Sequence, residues 1–175
     1  MAVTHADVVR MWGESGIRTY PMEHLEGLGL PETARVALGE VGVPAEVDVL
    51  FTATPLELVM LSGYGEAVRF GIAWHQEYDL CVHRGPANAD GRVYAAHREA
   101  AEVTFVNTDL LRYLEFLLHT ALMYQRFDQV ADGSLTESTY LEQVDEVQRH
   151  LRELDPDALI DGSWWAGVIE ELKLI

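Results

Sequence analysis

The sequence predicts an α+β fold: a largely antiparallel sheet packed against helices. Three observations carry this. Val68, Phe70, Ile72 and Trp74 alternate with Arg69, Gly71, Ala73 and His75, and Tyr78, Leu80 and Val82 with Asp79, Cys81 and His83, a two-residue period. Leu110, Leu111, Leu114, Leu117, Leu118, Ala121 and Leu122 form a helix apolar nearly all round, which other elements must cover. Tyr140, Leu141, Val144, Val147, Leu151 and Leu154 stand three and four apart, the stripe of an amphipathic helix. No repeat, low-complexity tract or long linker divides the 175 residues, so one domain is expected over 1–175. A chain of this size buries roughly 70% of its unfolded surface.

The elements follow in order. Thr4 and Asp7 resemble a capping arrangement for a first helix through Val8, Val9, Met11 and Trp12, ending at Gly13. Pro31 and Glu32 suit the first turn of a second helix, which Gly42 and Pro44 stop. Val47–Phe51 reads as a strand, followed by the alternating runs above. Asn88-Ala89-Asp90-Gly91 is turn chemistry, Arg92–His97 returns as the partner strand, and Glu102–Val106 adds another. Short sequential strands with tight turns predict an antiparallel meander. Asn107 is placed to cap the Leu-rich helix. Asp155-Pro156 ends the amphipathic helix and Ser163 starts a last one through Trp164, Val168, Ile169 and Leu172.

Charge narrows the function classes. Acidic residues number 29 and basic residues 12, for a net charge of −17. Such a chain repels phosphate backbones and anionic lipid, so neither direct nucleic-acid nor membrane binding is expected. It attracts a basic protein partner from a distance, or the charge serves solubility alone. Cys81 is the single cysteine, which fits a cytoplasmic location, and the first residues do not read as a signal peptide. Leu110–Tyr124 is interrupted by Arg112, Glu115 and His119, so it reads as a buried helix and not as a span.

The familiar catalytic signatures, a phosphate-binding glycine loop, a His-Glu-x-x-His pair or paired-cysteine metal spacing, do not occur, and Gly63-Tyr64-Gly65 reads as an ordinary turn. One set of residues could carry chemistry. With a hairpin loop at 85–91, Asp79 falls opposite His97, and one face carries Asp79, Cys81, His83 and His97, a possible metal or thiol site. A register slip of one residue would dissolve it, and a lone strand cysteine is more often a small apolar side chain. No cofactor, no metal and no catalytic residue are therefore expected.

Charge clusters late in the chain. Between Asp128 and Asp161, ten acidic residues stand against Arg149 and Arg152. On the 137–154 helix, Glu142, Asp145, Glu146 and Glu153 fall outside the apolar stripe, facing either a partner or only solvent. Trp164 and Trp165 point about 100° apart on a helix, so one of them stays partly exposed, as contact anchors do.

Four stretches, in this order, resemble the SUKH superfamily of bacterial immunity proteins, and within it the fourth family: Gly29-Leu30-Pro31 through Val41-Gly42-Val43-Pro44; Tyr78–Val82 with Asp90–Tyr94; Phe105-Val106-Asn107-Thr108-Asp109-Leu110; and Leu154–Leu159 with Trp164-Trp165. The chain departs from the family pattern at Thr108, where Ser is commoner, and in the turn before Gly91. The resemblance implies a SUKH-like α+β domain without catalysis. It implies a cytoplasmic antidote that binds a cognate protein toxin, often a nuclease or nucleic-acid deaminase. An acidic surface suits the basic cleft of such an enzyme. The candidate partner-binding residues are Glu137, Glu142, Asp145, Glu146, Glu153 and Trp164, with the sheet face around Glu77 to His83 second. The alternatives are a cytoplasmic regulatory scaffold binding a signalling partner, and a metal- or Cys-dependent enzyme built on the Cys81 face.

Overall fold

The computed structural model describes residues 3–84 and 91–174. Helix α1 (His5–Trp12) opens on a reciprocal cap between Thr4 and Asp7 and stops at Gly13. A two-stranded ribbon pairs β1 (Ile17–Arg18) with β2 (Val43–Pro44) around α2 (Met22–Gly27) and α3 (Glu32–Val36). Helix α3 runs on into a π turn (Ala37–Val41) that ends at Gly42, as expected, where φ is +85°.

The main sheet is an antiparallel meander in chain order: β3 (Glu46–Val47), β4 (Phe51–Leu61), β5 (Gly65–Ala73), β6 (Tyr78–His83), β7 (Val93–His97) and β8 (Val103–Asn107). The hairpin turn expected at 88–91 lies, apart from Gly91, outside the described residues. Three local expectations are corrected. Val47–Phe51 is not one strand, because the chain turns at Asp48, whose φ is +40°. Asp tolerates this left-handed region better than most residues, so the turn leaves the apolar pattern intact. The long strand β4 carries no clear sequence signal, because Thr52, Thr54, Pro55 and Glu57 interrupt its apolar residues. The pairing with β5 shifts between Ala53 and Glu57, which accommodates Pro55. Finally, the alternation from Val68 breaks at a bulge between Arg69 and Gly71, so Ile72 leaves the core face and Trp74 falls in a left-handed turn with φ +50°.

Gly71 has a steric reason. A Cβ there would stand 2.2 Å from the Phe51 ring. That ring is fully buried and packs on Phe70 and Tyr113 at centroid distances of 5.7 and 6.0 Å.

Helix α4 (Leu110–Ala131) lies behind the sheet, burying Leu110, Tyr113, Leu114, Phe116 and Leu117. Helix α5 (Glu137–Leu154) covers it with Tyr140, Val144 and Leu151, and α6 (Trp164–Leu172) with Trp165, Val168, Ile169 and Leu172. The main hydrophobic core runs from Val3 to Leu172, and a smaller cluster of Leu61, Ala67, Cys81 and Tyr94 forms separately from it.

The cap of α4 is not Asn107 but Asp109, whose carboxylate accepts from the Arg112 amide at 2.9 Å. Asn107 is fully buried and ties the C-terminal layer to the sheet. Its Nδ2 donates to Asp155 at 3.0 Å, and its Oδ1 accepts from Trp165 Nε1 at 2.7 Å. The same Asp155 oxygen accepts from the Thr108 amide and hydroxyl at 2.9 and 3.1 Å. A buried carboxylate and amide persist only when hydrogen-bonded, and here each supplies the other's partner.

Candidate partner-binding surface

Thr136 caps α5, accepting from the Thr139 amide at 3.2 Å, and the apolar stripe turns the opposite side of the helix to solvent. Glu142, Asp145, Glu146 and Glu153 are all exposed. At about 100° per residue they occupy one arc of roughly 100°. Asp145 binds Lys173 Nζ at 2.6 Å, and Glu146 lies 3.9 Å from Arg149. Glu142 and Glu153 have no ion pair among the described residues. Four carboxylates against the two cations Lys173 and Arg149 leave the arc a net charge of −2, and exposed pairs of this kind contribute only about 0–1 kcal/mol. Glu137 is exposed too, but five residues before Glu142 it stands about 140° round the helix, off the arc.

Trp165 is the buried member of the tryptophan pair and Trp164 the partly buried one. Trp164 meets Tyr78 and Trp74 edge-on at centroid distances of 5.2 and 6.1 Å. It begins α6, whose far end carries Lys173 to Asp145. The nine residues of α6 make roughly 13 Å of helix, so Trp164 sits apart from the carboxylate arc.

On the second candidate surface Glu77 is exposed, while Asp79 is engaged. Asp79 binds Arg98 at 2.8 Å and Arg69 at 3.4 Å, and Arg69 also binds Glu57. The proposed chemical set on this face does not assemble. The register pairs Tyr78, not Asp79, with His97, which puts His97 on the opposite face. There its Nδ1 accepts from the Glu99 and Ala100 amides at 3.1 and 3.0 Å. Cys81 is fully buried against Leu61, Ala67 and Tyr94. Burial, then the negative charge of Asp79, pushes its thiol up to about 12, far from a reactive thiolate.

Sequence reasoning missed a different cluster. The α4 residues Glu115 and His119, four apart on one helix face, meet His150 of α5. His150 Nε2 is 3.5 Å from the Glu115 carboxylate, and the two imidazole rings stand 5.0 Å apart. A groove of about 430 Å³ between the helices opens beside them, lined by Arg126, Gln143, Glu146 and Glu153 among others. The Glu-x-x-x-His spacing was visible in the sequence. The partnership with His150 depends on how α5 packs on α4.

The chain-order meander, the all-round apolar helix behind it and the Asn107–Asp155–Trp165 lock define an α+β protein. Over residues 3–171 the chain matches the SUKH-4 immunity protein family, and it belongs to that family. Neither a curated protein nor a solved structure gives a significant match. No helix among the described residues is long and apolar enough to cross a membrane.

Proposed function

We propose that the protein is an immunity protein that binds a cognate protein toxin with a basic surface and blocks it by covering the active cleft. The toxin class that fits is a nuclease or nucleic-acid deaminase, whose cleft must attract phosphate. The protein acts by occupancy and not by catalysis, in the cytoplasm where such a toxin does its damage. The observation that carries this reading is the exposed arc of Glu142, Asp145, Glu146 and Glu153 on a helix fixed to the core from behind. A preorganised anionic helix presents charge without first having to be ordered, which favours fast, salt-sensitive docking. Trp164 contributes at the margin as a partly exposed aromatic anchor, and Glu137 extends the negative field at the start of the helix.

Coexpression with the toxin encoded beside it tests the reading. Cells carrying the pair grow, and cells carrying the toxin alone do not. A chain with Glu142, Asp145 and Glu146 changed to Lys should keep its fold and lose most of the protection. Full protection by that variant would place the contact elsewhere.

A further inference from the structure

We propose that Glu115, His119 and His150 form a binding site for a divalent transition-metal ion of the zinc type. One ligand atom from each lies within 4.8 Å of the other two. Ligands around a tetrahedral zinc stand about 3.3 Å apart, given bond lengths near 2.0–2.1 Å. Binding therefore requires the three side chains to rotate until they close that difference. Two imidazoles and one carboxylate are a donor set that suits zinc and its neighbours better than calcium or magnesium.

The surroundings favour a cation over a simple ion pair. The Glu115 side chain is only 9% exposed, yet among the described residues its one polar partner is the His150 ring. That pairing engages one imidazole and leaves His119 pressed against the same ring without a hydrogen bond among the described residues. Burial, then the proximity of His150, holds His119 below the usual histidine range. The ligands come from α4 and α5, so a bound ion would clamp the helix bearing the acidic arc to the core helix. A fourth position would open toward the groove, as it does in sites that retain a water. None of this depends on the identity of the toxin.

Thermal unfolding of the chain, stripped with a chelator and then titrated with Zn²⁺, tests the site. At a hundredfold excess over Kd the midpoint should rise by roughly 5–10 °C. His150→Gln and His119→Gln should each abolish the shift. His150 is 43% exposed, so its variant should fold normally without metal. No shift, or an equal shift in both variants, would overturn the proposal. In the unmodified chain, Co²⁺ should selectively broaden the ring resonances of His119 and His150 among the seven histidines. Broadening confined to other histidines would also overturn it, whether or not the variants fold.

Discussion

Trp165 donates its indole N–H to the Asn107 side-chain carbonyl across 58 residues of sequence, at 2.7 Å, inside the core. Asn107 ends the last strand, Asp155 follows the amphipathic helix, and Trp165 belongs to the final helix. One buried amide therefore fixes how the C-terminal layer sits on the sheet, and with it how α5 is presented.

Removing this link should loosen that layer. Asp155→Ala leaves the Asn107 amide and the Thr108 donors without their acceptor. Hydrogen bonds to a charged group contribute about 1.5–3 kcal/mol each, and stranding buried donors adds to the loss. We expect a loss of about 3–5 kcal/mol, read as a fall in denaturation midpoint at constant slope. A loss below about 1 kcal/mol would mean the network is not what holds the layer.

Gly71→Ala should cost about 2–3 kcal/mol, the upper part of the roughly 1–3 kcal/mol range of core overpacking. The new methyl would overlap the Phe51 ring, which is wedged between Phe70 and Tyr113 and has nowhere to turn. The change is best measured with Phe51→Leu beside it. If the clash is the cause, the double variant should lose less than the two single losses combined.

Cys81 should be inert in the folded protein. With the thiol pushed up to about 12, it stays protonated at pH 8, and burial excludes reagents as well. A disulfide reagent at pH 8 should titrate no thiol in the native chain and one thiol per chain in denaturant. Rapid native labelling would contradict the placement of Cys81 behind Tyr94.

The helical part of the molecule was largely readable in advance. Helix α5 begins and ends where its stripe and the Asp155-Pro156 break predict, and α6 begins after Ser163, because capping and amphipathicity are local properties. The strands were harder. A bulge between Arg69 and Gly71 and a left-handed Asp48 change which side chains face the core without changing composition. The one-residue offset that pairs His97 with Tyr78 dismantled the suggested Asp79–Cys81–His83–His97 set. Asn107 looked like a helix cap because its decisive partners, Asp155 and Trp165, lie 48 and 58 residues away. For the candidate surface, the outward arc followed from helical periodicity. The distance of Trp164 from it, and the meeting of His150 with Glu115, followed only from packing.

The acidic arc of α5 is tested most directly by titrating the protein against its cognate toxin at two salt concentrations, unmodified and with Glu142, Asp145 and Glu146 changed to Lys. Affinity of the unmodified chain should fall as salt rises. The reversed chain should bind at least about 100-fold more weakly, as loss of several complementary charges implies, and should respond less to salt. Equal affinity and equal salt response in the two chains would show that the toxin docks on another face.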